Sequence, residues 1–427
     1  MSDEARAVAL AAIRRVTEHG GYSNLAIPAG LRRSSLDEQG RAFAAELAYG
    51  TLRRLITLDR MIASASSRPP ERISPGALAA LRLGAYQLAF TRVPDHAAVA
   101  ETVGLASARE RGFVNAVLRT IARRRPSPPE GEGDAQVSVR TGLAEWAVGE
   151  LRHLLGDEAE AAAAALAERA DLTLRANTCV RSVADLEQDL LAAGHHPRRG
   201  PIHPDTLLLP GGDPADLPGY GGGAFAVQDQ ASAFVVAALD PRPGERVLDV
   251  CAGPGGKLAH IACLVGAGGL AVGGDVHPRR AGLVAENVAR LRVDARVLAQ
   301  DARAPAVRGC FDRVLVDAPC SGVGSARRRP ELLWRARRSE LSGLARLQVA
   351  IAAAAAELVR PGGRLLYSVC TFPRAETDAA CNALLAKRPE LQPVAIEGPD
   401  GPSERVRLWP HRHGTDAMFV AAFTRGG

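Results

Sequence analysis

The sequence predicts a multidomain chain: an all-α N-terminal module, a small α+β segment, and an α/β domain built on a largely parallel sheet. Three observations carry this. Apolar residues in the first 125 positions recur at spacings of three and four, the stretch RRRPSPPEGEGDAQ interrupts that pattern, and after Ala231 short β-branched runs alternate with helical segments. A chain of 427 residues also exceeds one typical core, since domains run to roughly 100–200 residues. The expected boundaries are 1–126, 140–228 and 229–427. Hydrophobic content of 47% against 23% charged residues is the balance of a globular protein.

The N-terminal helices are read from ARAVALAAIRRV, RAFAAELAYGTLRRLITLDRMI, GALAALRLGAYQLAFT and FVNAVLRTIARR, each with an apolar stripe at helical period. Residues 1–125 hold 19 Arg and no Lys against 11 Asp and Glu, so the module is strongly basic. Such a field attracts polyanions. RNA, DNA, an anionic membrane, or simply solvent would satisfy it, and since Lys257 and Lys387 are the only lysines, arginine richness reflects codon usage as much as nucleic-acid chemistry.

The start, MSDEARAVALAAIRR, carries acids early, and no run of ~18 apolar residues occurs. Neither a signal peptide nor a membrane anchor is expected, and the cytoplasm is the expected compartment. Seven cysteines, at 179, 251, 263, 310, 320, 370 and 381, form an odd set without C-x-x-C spacing. Neither a disulfide framework nor a metal site is expected. Cys179, Cys263, Cys310 and Cys381 read as inert core.

In the middle segment, LAEWAVGELRHLLG and VADLEQDLLAAG read as helices. LTLRANT (172–178), TLLLP and AFAVQD read as extended pieces. In the last domain the strands are RVLDVCA, LAVGGDV, ARVLAQD, FDRVLVDAP and GRLLYSVC, separated by helical segments. That alternation implies right-handed crossovers and a parallel sheet covered on both faces. AMFVAAFTR is expected to close the sheet as an edge strand.

The strand RVLDV runs into CAGPGGK and then an apolar helix, LAHIACLVG. Glycines after a first strand let the backbone approach a ligand, and the helix start offers free N–H groups. The pattern is neither G-x-G-x-x-G nor G-x-x-x-x-G-K-[ST], and Asp249 before it would repel a phosphate. It would suit S-adenosylmethionine, whose sulfonium and amino groups are cationic. Asp275, ending the second strand, is placed to accept ribose hydroxyls, and Asp301, ending the third, to accept from an adenine amino group. Each acid alone could be a cap or a surface charge. Three at consecutive strand ends face the crevice where open α/β sheets bind ligands.

The fourth strand delivers DAPCSG with Cys320 and the fifth SVCTF with Cys370, so both thiols belong to one rim of the sheet. Pyrimidine C5 chemistry uses such a pair: a thiolate adds at C6 to make C5 nucleophilic, and a second group assists proton removal and elimination. Spacing alone does not say which thiol attacks.

DVCAGPGGK, DAPCSG, YSVCTF and LWPHRHGTDAMF resemble the motifs of the RNA cytosine-5 methyltransferases. AFAAELAYGTLRRLITLDRMI and VPDHAAVAETVGLA with GFVNAVLRTIARR resemble the NusB-like module of the RsmB (Fmu/Sun) branch of that family. The resemblance covers most of the chain. It implies a NusB-like RNA-binding domain, a linker subdomain and a Rossmann-like class I S-adenosylmethionine-dependent methyltransferase domain acting on 16S ribosomal RNA. It orders the thiols as Cys370 the nucleophile and Cys320 the releasing group. It assigns Asp317 to the base edge and Lys257 to orienting the catalytic loop. Cys251, Ala252, Gly253, Pro254, Gly255, Gly256, Lys257, Asp275, Asp301 and Asp317 match the cofactor-holding positions. Leu258 stands where Thr or Ser is usual, Val369 replaces a Thr, and Thr377 replaces an Asn after Glu376.

The segment RRRPELLWRARR follows DAPCSG closely, and Arg327, Arg328, Arg329, Trp334 and Arg335 are expected to clamp RNA beside a flipped base. An exposed amphipathic helix would look the same. A monomer with an RNA partner, no metal and no membrane is expected. Rival readings are a transfer-RNA methyltransferase, an RNA-binding factor whose methyltransferase fold is inactive, and an adenine amino-methyltransferase. The last would carry [DN]-P-P-[YF] where this chain has Asp317-Ala318-Pro319-Cys320.

Overall fold

A computed structural model describes residues 3–426. The chain divides into two compact units, one running to Arg169 and taking back Ala326–Arg338, the other comprising Ala170–Ser325 and the residues from Ser339 onward.

The first unit is helical. Helices Asp3–Thr17, Ser23–Arg32, Glu38–Arg53, Leu55–Ala65, Pro75–Phe90, Asp95–Leu105 and Arg111–Arg124 are followed, past the Pro/Gly-rich break, by Asp134–Thr141, Glu145–Leu155 and Ala159–Leu166. The apolar stripes of the first seven converge on a core that includes Ile13, Leu47, Leu52, Leu58, Leu81 and Leu118. Helix starts follow ordinary capping chemistry: the Asp37 carboxylate accepts from Gly40 N at 2.8 Å, and Ser74 precedes a Pro at the first helical position. The helices after residue 133 belong to this unit. Val137, Val148 and Leu151 are buried among these helices.

The returning segment changes the expectation for residues 327–338. The Trp334 indole N–H donates to the Leu52 carbonyl at 2.9 Å. Arg335 donates to the carbonyls of Val16 at 2.8 Å and Gly21 at 3.0 Å, which lie at and beyond the end of the first helix. Glu331, fully buried, accepts from Ser23 N, a free N–H at a helix start. Trp334 and Arg335 are thus committed to the helical unit, and the expected RNA clamp is corrected at these two positions.

The second unit opens with four strands, β1 (Leu172–Ala176), β2 (Arg198–Arg199), β3 (Thr206–Leu209) and β4 (Phe225–Val227), in the antiparallel order β2-β3-β1-β4. Helix Val183–Ala192 contributes Leu186 and Leu190 to a small core with Leu174, Leu207 and Phe225.

The larger sheet contains β5 (Arg246–Asp249), β6 (Leu270–Asp275), β7 (Arg296–Ala299), β8 (Phe311–Asp317), β9 (Val359–Val369), β10 (Leu391–Val394), β13 (Arg405–Leu408) and β14 (Met418–Arg425). The intervening β11 (Ile396–Gly398) and β12 (Gly401–Ser403) form a separate hairpin. The order is β10-β14-β9-β8-β5-β6-β7, parallel from β9 to β7. Alternate residues face opposite layers. Leu248, Val314 and Leu365 pack on helices Leu341–Glu357 and Asp378–Lys387. Val247, Leu315 and Leu366 pack on Gln230–Leu239, Gly256–Val265 and Pro278–Arg290. The chain leaves β5 in one direction for β6 and β7 and returns on its other side as β8, so the C-terminal ends of β5 and β8 border the crevice at the topological switch point.

Two expectations fail here. β14 is not an edge: it pairs antiparallel with β9 on one side and with β10 and β13 on the other. Six consecutive residues of β14, Met418–Phe423, are buried, and a strand apolar on both faces needs neighbours on both sides. Cys179 and Cys263 are not inert core but a disulfide, with Cα atoms 5.7 Å apart. The turn after β1 lies against helix Gly256–Val265, a proximity that residues 84 apart in sequence do not announce. Cys310 is exposed, while Cys381 is buried.

Candidate active site

Asp249 ends β5, and the loop Cys251–Gly255 leads into helix Gly256–Val265. Gly255 has φ +109°, a conformation open to glycine. A Cβ on Gly253 would lie 2.4 Å from Asp275 Oδ2, so a side chain there would displace the Asp275 carboxylate. Buried Leu258 presses on β6 in the same way, 2.3 Å from where a Gly273 Cβ would be. The usual hydroxyl at 258 is thus replaced by packing.

The three strand-end acids have different surroundings. Asp249 is 1% exposed; burial, and next the charge of Asp317, push its carboxyl up to about 7. Asp275 accepts from His277 N at 3.0 Å and pairs with Arg280 at 3.2 Å. Arg280 also donates to the Gly253 carbonyl at 3.1 Å, joining the β6 terminus to the glycine loop. Asp301 is forked by Arg303, whose hydrogen bonds hold its carboxyl down to about 2. A glycine loop packed against the Asp275 carboxylate and flanked by Asp249 and Asp301 fits a cationic nucleoside such as S-adenosylmethionine.

Lys257, in the first turn of the helix, reaches across the switch point to Asp317 at the end of β8, Nζ to Oδ2 2.7 Å. Burial opposes its charge, but Asp317 outweighs burial and the ammonium is held above its ordinary value. The other oxygen of Asp317 accepts from Ser368 Oγ at 2.8 Å, two residues before Cys370. Sequence reasoning missed Ser368, although it lies within the motif YSVCTF.

The thiols of Cys320 and Cys370 lie 3.5 Å apart. The hydrogen bond to Cys370 and then burial hold the Cys320 thiol well above its usual range, and either sulfur can be the donor between them. Gly324 packs under this pair: its N–H donates to the Cys370 carbonyl at 3.1 Å, and a Cβ there would fall 2.9 Å from that oxygen. Cys320, Cys370, Asp317 and Lys257 are one cluster beside the loop Cys251–Lys257. Arg327, Arg328, Arg329, Trp334 and Arg335 belong to the helical unit. A separate grouping, His203, Asp205 and His260, holds ligand-type atoms within 4.8 Å of one another. Burial holds both imidazoles below their ordinary value; nearby Arg175 lowers both further, while Asp205 raises His203.

Residues 236–424 match the family described as 16S rRNA methyltransferase RsmB/F, residues 3–123 the NusB family, and residues 143–215 the ferredoxin-like domain of RsmF/B-like methyltransferases. A Mycobacterium tuberculosis (strain H37Rv) protein named for methyltransferase activity is 41% identical over 99% of this chain and 97% of its own length. The ribosomal RNA small subunit methyltransferase B of Erwinia tasmaniensis is 33% identical over 98% of each chain. Among solved structures, that of PH0851 superposes with a TM-score of 0.88 at 27% identity, covering 100% of this chain and 99% of its own. Among the described residues no helix is long and apolar enough to cross a membrane. Full-length relatives, three matched domains and a glycine cradle between strand-end acids lead to one conclusion: the chain belongs to the RsmB/F family of S-adenosylmethionine-dependent methyltransferases.

Proposed function

We propose that this protein methylates carbon 5 of a cytosine in 16S ribosomal RNA through a covalent adduct between Cys370 and carbon 6 of the base. The observation that carries the reading is the thiol pair, Cys320 and Cys370, 3.5 Å apart beside the Lys257–Asp317 ion pair. S-adenosylmethionine, held by Cys251–Lys257 with Asp275 and Asp301, supplies the methyl group. Cys370 attacks C6 as a thiolate, making C5 an enamine carbon. Asp317 borders both the base edge and the cofactor cradle, and its pairing with Lys257 orients it. After transfer, the C5 proton passes to solvent, the electron pair of that bond re-forms the C5–C6 double bond and the Cys370 thiolate is expelled; Cys320 beside it assists that expulsion.

The choice of 16S RNA rests on relatives named for the ribosomal small subunit and on the NusB-type domain. The basic helical unit, with Arg327, Arg328 and Arg329, supplies the contact to the RNA backbone. Bisulfite sequencing of ribosomal and transfer RNA from a deletion strain tests the assignment. One 5-methylcytosine missing from 16S RNA is expected. A loss confined to transfer RNA would select the transfer-RNA reading instead.

A further inference from the structure

Cys320 sits in an irregular turn after β8, and a turn alone does not fix a thiol to within a few tenths of an ångström of its partner. The structure shows what does. Glu376, completely buried, accepts from Ser321 N at 2.8 Å, on the C-terminal side of Cys320. It also accepts from Gln348 Nε2 at 2.9 Å. The same amide nitrogen donates to the Pro319 carbonyl at 3.0 Å, on the N-terminal side of Cys320. The two peptide groups flanking the thiol are therefore held by one side-chain pair.

That pair is anchored to the strand that carries Cys370. The Tyr367 hydroxyl lies 2.7 Å from the Glu376 carbonyl and 3.1 Å from Gln348 Oε1, and Tyr367 is three residues before Cys370 on β9. Ser321 Oγ meets Thr371 Oγ1 at 2.7 Å, the residue after Cys370. Gln348 is a lone buried amide on an apolar face of helix Leu341–Glu357, among Ile351, Ala352 and Ala355. Packing alone gives no reason for an amide there.

We infer that Glu376 and Gln348 are positioning residues that hold Cys320 against Cys370, and that their role is confined to the release half of the reaction. This rests on the proposed order of the thiols. Neither residue contacts the loop Cys251–Gly256 or the Lys257–Asp317 pair in the hydrogen bonds they make, so cofactor binding and the attack of Cys370 do not depend on them. With the clamp loosened, the Cys320 thiol drifts from Cys370, elimination slows, and the RNA remains attached to the enzyme. A purely structural role would instead lower binding, attack and release together.

The test uses full-length Gln348→Leu and Glu376→Gln proteins, a 16S RNA fragment and S-adenosylmethionine, reading denaturation-resistant protein–RNA adduct, turnover and KM for the cofactor. Both variants are expected to accumulate adduct at least several-fold over the native enzyme as kcat falls, with KM for the cofactor unchanged. Adding Cys370→Ala to either should remove the adduct. Cys320→Ala is measured alongside. Adduct in Cys320→Ala but none in the clamp variants would overturn this inference alone. No adduct in Cys320→Ala would overturn the proposed thiol order beneath it. Should Glu376→Gln fail to fold, Gln348→Leu decides, since it replaces a buried amide by an apolar group of similar size.

Discussion

Asp249 is where a single side chain reports most directly on the proposed cofactor site. Its folded-state pKa of about 7 lies above the ordinary 3.8, so the folded protein holds this proton more tightly than the unfolded chain does. The resulting contribution to stability is full below the unfolded value and lost as pH rises through about 7. Relative to Asp249→Asn, the native protein should therefore lose about 1–3 kcal/mol between mildly acidic and mildly alkaline pH, read from denaturant melts. A cationic methyl donor favours the ionised carboxylate. Its affinity should rise with pH up to about 7 in the native protein and stay flat in Asp249→Asn; a parallel rise in both, measured calorimetrically, would remove Asp249 from the site. At this scale the sequence was informative, because residue type and strand-end position together limit what an acid can do. It did not reveal that Asp275 shares Arg280 with the glycine loop, or that Ser368 holds Asp317, since neither contact leaves a spacing pattern.

At the scale of elements, the glycine loop, the parallel strands and the helices between them were legible because their signals are local: a period, a turn residue, a run of β-branched side chains. Pairing was not. β10 and β13 read LQPV and RVRL, too short and polar to register as strands, yet they cover one side of β14. The turn holding Gly324 packs tightly beside the thiol pair. A Cβ at 324 would fall 2.1 Å from the Ala417 carbonyl and 2.9 Å from that of Cys370, and backbone cannot yield as a flexible side chain does. Gly324→Ala should cost about 2–4 kcal/mol of stability and reduce turnover more than cofactor affinity. A melt and turnover indistinguishable from the native enzyme would contradict this account of the turn.

Across the whole molecule, Trp334 and Arg335 within the segment Ala326–Arg338 are the residues a linear reading misplaced. The segment's arginines and tryptophan look like an RNA clamp, but Trp334 donates to Leu52, 282 positions earlier, and no local pattern encodes a contact at that separation. Trp334→Phe keeps the ring and removes the bond, so it should lower the melting free energy of the helical unit by about 1 kcal/mol. RNA affinity and its salt dependence should stay unchanged. Weakened RNA binding with an unchanged melt would restore the clamp. The central claim concerns the two thiols, and peptide mapping by mass spectrometry of RNA–protein adducts formed by Cys320→Ala and by Cys370→Ala tests it most directly. The account predicts a cytidine-bearing peptide at Cys370 in the Cys320→Ala protein and no adduct in Cys370→Ala; an adduct on Cys320 in the Cys370→Ala protein would contradict it.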